Sequence, residues 1–408
     1  MDYIVFSDKI IKNVFENLES DLYRNGFLVR RDEFDLRILL ELILFIRSLD
    51  KIKGDYFCKT YNKFHFPIYA FKFYPFEFFT HDIGLMQTHQ VKIEGENRKV
   101  KIFESTANVE LFYRLLGESL KNERLEASHE KLNLTLKHRK EQVETYTLSA
   151  HFFTAKLEDM PVQDLWDLNE FLKQFKAHEA YAKGKNDENK AIKKFRDYCD
   201  YFDAVVNLNK KSFVFNIEFL IQGQNKLNDH TFTTFKREFM NAMRGFRQLS
   251  QISGYMGFWD LDHQNGLCFR ILFCVPDLGI EVAEWVEDII YYWENIYFSK
   301  VSKEYGFNQY DAIRFDAQVI PIAVSDKKLN NHFLSVTKHN KSLKKLICEH
   351  AISYIVLSEF YYCPVELQLY LKSVALILAE QSEQEIEEET AVKRMFKVFR
   401  GSVSKKEL

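Results

Sequence analysis

Proline and glycine are scarce, six and 14 among 408 residues, which excludes fibrous repeats and long disordered linkers that depend on both. Cysteine is equally sparse. The six thiols, at 58, 199, 268, 274, 348 and 363, form no Cys-x-x-Cys pair and have no paired histidines nearby, which argues against a zinc site and a disulfide framework. Neither sign of charge dominates: 56 Lys+Arg against 59 Asp+Glu leaves a formal net charge of -3, so any polyanion-binding surface has to be a local patch. Long apolar runs are missing too. The most apolar window, 36–49, contains Arg37, Glu41 and Arg47 and is shorter than the ~20 residues that span a bilayer. It reads as a buried helix, and no membrane association is expected. The opening stretch from Met1 to Lys9 has acids where a secretory signal needs a basic flank and an unbroken apolar run. A cytoplasmic protein with reduced thiols is the expectation. No P-loop, Gly-x-Gly-x-x-Gly, Gly-x-Ser-x-Gly or His-Glu-x-x-His pattern occurs, and no metal or other cofactor is expected.

What is present is the material of a folded core, 46% hydrophobic and 28% charged residues, with 38 Phe and 21 Tyr. A chain of this length holds two or three domains. The pattern divides it into an N-terminal α+β domain over 1–185, a sheet domain over 205–325, and a helical region with a charged tail over 326–408. In the first, 18–28 and 34–49 have helical apolar spacing, and 90–103 reads as a hairpin of two alternating strands around Glu94-Gly95-Glu96-Asn97. The aromatic run 64–79, with Lys72 among its rings, is either a core strand or a base-stacking surface. Residues 162–181 and 189–202 read as two helices parted by the polar stretch 183–189. Lys190, Lys193, Lys194 and Arg196 lie in the most basic interior segment, which serves either for phosphate contacts or as a solvated helix face. Near the other end, glutamates between 383 and 389 precede Lys393, Arg394, Lys397 and Arg400. That order suits a terminal helix with i to i+4 charge pairs, or a basic tail that touches a polyanion.

The order of elements between 212 and 322 is more informative: strand 212–221, helix 231–249, strand 254–262, strand 266–275, helix 280–298, strand 312–322. This β-α-β-β-α-β string predicts an α+β fold whose core is a split, ferredoxin- or RRM-like antiparallel sheet, with helices on one face and the other face open to a ligand. The short link His263-Gln264-Asn265-Gly266 suits a tight hairpin. Helices are expected again at 343–362 and 364–379, Pro364 fitting a first helical turn.

Phe215-Asn216-Ile217-Glu218, a helix bearing Arg237 and Arg244, Gly254-Tyr255-Met256-Gly257-Phe258-Trp259-Asp260, the Gly266 to Phe273 strand and Trp285 follow one another here. Together they resemble the inovirus gene-II-type replication initiators and their relatives of the YagK/YfjJ group, over residues 212–298. The resemblance implies a rolling-circle endonuclease core, in which two His at alternate strand positions hold a divalent cation and a Tyr on a late helix attacks a DNA phosphate. Alternate positions share one strand face, so such a pair can chelate one ion. Cys268 and Arg270 stand at those positions here, and an Arg cannot bind metal. Glu218 is then the remnant of a further ligand: either it pairs with Arg270 across the sheet in the old metal site, or both side chains face solvent. The family sets a Lys three residues after its nucleophile, a place taken by Leu357 after Tyr354. Tyr354, Tyr361, Tyr362 and Tyr370 remain the nucleophile candidates.

The function expected on that basis is a DNA-binding protein of phage or mobile-element origin, a replication-initiator-like pseudoenzyme that has lost metal-dependent nicking. Single-stranded or hairpin DNA would meet the open sheet face and the flanking Lys/Arg patches. Two alternatives stand beside it. One is an active rolling-circle endonuclease with other ligands, such as Asp260, Asp262 and His263. The other is a protein-interaction module that kept the fold and binds a protein partner.

Overall fold

The computed structural model describes residues 6–24, 33–52, 56, 60–61, 67–68, 88–93, 96–101, 103–120, 162–222, 238–241, 243, 245–262, 266–305, 314–364 and 398–401. The fold is α+β. It divides into two compact units, one of residues 34–189 and one that joins residues 1–33 to 190–408. The aromatic run 64–79, apart from the short Pro67–Ile68 strand, lies outside the described residues.

The chain begins with helix α1 (Asp8–Arg24), whose apolar face buries Ile10, Ile11, Val14, Phe15 and Leu18. In the 34–189 unit, α2 (Glu33–Ser48) buries Leu36, Leu39, Leu42 and Phe45 at helical spacing. Strands β1 (Thr88–Ile93) and β2 (Glu96–Lys101) pair antiparallel, with His89 opposite Val100. Next come α3 (Ala107–Leu120), α4 (Val162–Ala177) and α5 (Glu179–Asn207). Phe112 of α3 meets Phe171 and Phe175 of α4 edge-on, at 5.4 and 5.6 Å.

The polar stretch 183–189 is not a break: it lies inside the 29-residue helix α5. Its side chains find partners as a helix, Glu188 on Arg47 and Lys185 on Asp50 at 2.7 Å. Gly184 faces Asn108 so closely that a Cβ there would come within 2.3 Å of its Oδ1. Glycine here serves close helix packing, and not the turn that its polar neighbours suggest.

The other unit is built on an antiparallel sheet of β3 (Lys211–Gln222), β4 (Gly254–Asp262), β5 (Gly266–Pro276), β6 (Arg314–Ile320), β7 (Phe333–Thr337) and β8 (Val398–Arg400). Their order is β7–β3–β5–β4–β8, and β6 shares the outer edge of β3 with β7. Residues 211–215 of β3 pair with β7 and residues 216–222 with β6. Of the helix expected at 231–249, residues 238–241 are helical, a 3-10 turn covers Arg247–Gln251, and 223–237 lie outside the described residues.

Odd-numbered side chains of β3 and β5 form one sheet face. Phe215, Ile217, Phe219, Phe269, Ile271 and Phe273 pack there against Trp285 and Ile289 of α6 (Val282–Tyr291) and Trp293 and Tyr297 of the wide turn Tyr292–Tyr297, which leads into α7 (Phe298–Tyr305). Phe219 and Phe269 stack at 4.9 Å.

The even-numbered face is covered as well, which corrects the expectation of an open face. Val214, Leu220, Met256, Phe258, Cys268, Leu272 and Cys274 on that face are all buried. Alternating apolar residues on both faces belong to a sheet with a layer on each side. Here the second layer contains α1, the end of α5, and the helix formed by α8 (Lys341–Ile347), the wide turn Cys348–Ile352 and α9 (Ser353–Tyr361). Gly254 sits under Val205 and Tyr201, and the Tyr201 hydroxyl accepts from the Tyr255 N–H at 3.2 Å. The chain end differs from the expected terminal helix at one point, since Val398–Arg400 is a strand on β4 with Arg400 opposite Met256. Cys363–Pro364 is a short strand, so Pro364 is extended and not in a first helical turn. Residues 365–397 lie outside the described residues.

Candidate site around Arg270

Arg270 is the middle of the covered face. Strand pairing sets it between Glu218 on β3 and Phe258 on β4, and the side chains follow that register. Its Nε donates to Glu218 Oε1 at 2.7 Å, both side chains being 2% exposed. Nη1 donates to the Asp21 carboxylate, which α1 brings down onto the sheet. Nη2 lies 3.2 Å from Asp260 Oδ2 on β4, an ion-pair distance without hydrogen-bond alignment. The guanidinium stands over the Phe258 ring at 5.6 Å. Glu218 has a second donor, Gln318 Nε2 on β6, at 2.6 Å.

Three carboxylates therefore converge on one guanidinium. Burial opposes the charge on Arg270, but Asp21, Asp260 and Glu218 outweigh burial and raise its pKa well above the ordinary value. Tyr354, on α9, closes the cluster: it packs edge-on against Phe258 at 5.5 Å and its hydroxyl bonds to Asp21. Burial pushes the phenol pKa well above its ordinary value, Asp21 adds to the rise, and Arg270 offsets only part of it. The hydroxyl stays protonated, the wrong state for a nucleophile.

Glu218, Arg270 and Tyr354, chosen from distant parts of the sequence, thus meet at one place. Cys268 is buried on the same strand face, opposite Leu220 and Asp260, and is not in a disulfide. Asp21 and Gln318 were not among the residues that the sequence singles out. The signal for Asp21 was its spacing from Asn13 and Asn17, three polar residues four apart on a helix whose neighbouring positions are buried and apolar. The described residues contain no group of three or more His, Cys, Asp or Glu arranged to hold a metal ion. Of the alternative ligands, Asp260 is the one committed to Arg270, Asp262 ends β4, and His263 lies outside the described residues.

The basic candidates are elsewhere. Lys190, Lys193 and Arg196 are exposed on α5 and Lys194 is half-buried, and Asp197, Asp200 and Asp203 follow them on the same helix. Arg400 is engaged within the fold: Nη1 donates to the Asp197 carbonyl at 2.6 Å, and the guanidinium lies 5.0 and 5.2 Å from the rings of Tyr198 and Tyr201. Lys393, Arg394 and Lys397 lie outside the described residues. No described helix is long and apolar enough to cross a membrane.

No family model, curated protein or solved structure matches the chain.

Proposed function

We propose that the 190–408 part of the chain is a DNA-binding module on a degenerate replication-initiator core that has lost metal-dependent nicking. The observation that carries this reading is the position of Arg270. A permanent, organic cation occupies the point where Glu218, Asp21 and Asp260 converge, beside a tyrosine, and engages the carboxylates that a divalent ion would need as ligands. The strand order supports the split β-α-β-β-α-β reading: β4 and β5 are a hairpin, and the connections β3 to β4 and β5 to β6 each skip one strand. A prophage or similar mobile element in the cytoplasm is the setting that the resemblance implies.

Because the sheet face is covered, DNA binding on this reading falls to exposed bases, Lys190, Lys193 and Arg196, where phosphate neutralisation supplies the affinity. A second reading, a protein-interaction module, draws support from Asp197 and Asp200, each one helical turn beyond Lys193 and Arg196 and so able to offset their charge. Binding of single-stranded, duplex and hairpin DNA at two salt concentrations separates the two. Salt-dependent binding of any of these is expected, and none at low salt leaves the protein-partner reading. Incubation with single-stranded DNA and Mg²⁺ or Mn²⁺ is expected to give no cleavage. Metal-dependent nicking that disappears in Glu218→Ala would overturn the loss of catalysis.

A further inference from the structure

A second buried polar cluster plays no part in that reading. Asn13, Asn17 and Asp21 are spaced four apart and so share one stripe of α1. Asp21 meets Arg270, whereas the asparagines meet His350, in the wide turn between α8 and α9. His350 is 4% exposed. Its Nε2 is 3.3 Å from Asn13 Nδ2, and its Nδ1 is 2.7 Å from Ser325 Oγ. Asn13 Nδ2 also donates to the Glu349 carbonyl at 3.1 Å. That second bond orients the amide, because a flip would set its oxygen against the carbonyl oxygen.

Facing a donor, Nε2 has to accept. The neutral ring therefore carries its proton on Nδ1 and donates it to Ser325. Asn17 completes the cluster: Nδ2 donates to Ser325 Oγ at 2.8 Å, and Oδ1 accepts from the N–H groups of Val324 and Ser325 at 2.9 and 3.3 Å. This is not a hydrolase dyad. In that tautomer the imidazole has no lone pair for the serine proton, and the two neighbouring backbone N–H groups that an oxyanion would use are taken by Asn17.

We propose that His350 is a proton-operated latch between α1 and the 321–332 segment. Neutral, it accepts from Asn13 and donates to Ser325. Protonated, its Nε2–H faces the Asn13 N–H, donor against donor, and that bond is lost, while the Asn17 bonds to Val324 and Ser325 remain. The charged groups around it are Lys9 on α1, Asp326 on the 321–332 segment, and Glu349 on its own helix. Burial is the largest influence and lowers the imidazole pKa; Asp326 and Glu349 work against it, and Lys9 with it. A histidine whose folded pKa lies below its unfolded value contributes stability that is complete above the unfolded value, about 6.5. That stability falls as pH drops below 6.5 and levels off beneath the folded value. The latch loosens α1 without releasing it, since the five apolar side chains of the helix remain buried. The proposal is independent of DNA binding.

The test is hydrogen exchange by mass spectrometry on the full chain at pH 7.5, 6.5 and 5.5, corrected for intrinsic rates, with the 266–276 strand as internal reference. Opening of residues 8–24 should rise by up to about tenfold per pH unit below 6.5, the limit for one linked proton, while the strand does not follow. Asn13→Asp places an acceptor against the imidazolium and should cancel or reverse the trend. NMR titration of the His350 ring in the unaltered protein decides the matter if that variant does not fold: a pKa below 6.5 is expected. Exchange in α1 that tracks the strand at all three pH values overturns the latch, as does a ring titrating at or above 6.5.

Discussion

Arg270→Ala removes from Glu218, Asp21 and Asp260 the charge that offsets them, and the size of the effect follows from burial. Arg270 and Glu218 are each 2% exposed, so solvent screening barely weakens that pair. Leaving one member of such a pair behind costs about 3 to 5 kcal/mol. Asp21 and Asp260, at 16% and 15% exposure, are reached by water and add less than about 1 kcal/mol each. The Glu218 pair dominates, and urea unfolding at pH 7 should show a loss of at least about 3 to 5 kcal/mol. With a slope near 2.5 kcal/mol/M, the midpoint falls by at least about 1 to 2 M. Arg270→Met combined with Glu218→Leu should recover most of the loss, because an apolar pair of similar volume needs no compensating charge. A loss below about 1 kcal/mol, or a double variant no more stable than the single one, refutes the reasoning.

Two further outcomes follow from packing and charge. Gly254→Ala places a Cβ 2.6 Å from Val205 Cγ2 and 2.8 Å from the Tyr201 hydroxyl. Overpacking at this level costs about 1 to 3 kcal/mol, read as a lowered Tm, and an unchanged Tm means that α5 moves aside freely. If DNA is bound, neutralising Lys190, Lys193, Lys194 and Arg196 together should weaken it evenly across sequences. The salt slope should fall by about 0.7 to 0.9 for each phosphate that the protein no longer neutralises. An unchanged slope assigns these bases to a solvated face.

Local pattern carried much of the sheet unit. The alternation in β3 and β5 is strong enough to define both strands, and once they pair in register, Glu218 and Arg270 have to be neighbours. Register itself was not legible, since a shift of one residue exchanges the faces. Nor was the covering of the second face. Val214, Leu220, Cys268, Leu272 and Cys274 are apolar there, yet what buries them comes from α1 and α9, far away in the chain. Asp21 shows the same limit: its spacing from Asn13 and Asn17 marks a polar stripe on α1, but nothing local says that the stripe will meet an arginine at position 270. Residues 183–189 misled for a different reason. Lys, Asn, Asp and Glu suit a turn and a solvated helix alike, and the choice is made by Arg47, Asp50 and Asn108.

Residues 1–33 belong to the same unit as 190–408, with the whole of 34–189 intervening. On a ribosome, α1 emerges well before its partners: Arg270, Ser325, His350 and Tyr354 are all made after the 34–189 unit has been synthesised. Until then, the apolar stripe of Ile10, Ile11, Val14, Phe15 and Leu18 has no native surface to cover. The closing of this long excursion is the late, non-local step expected to limit the folding rate. The nascent chain is therefore most exposed to aggregation during the interval in which one segment is complete and its destination does not yet exist.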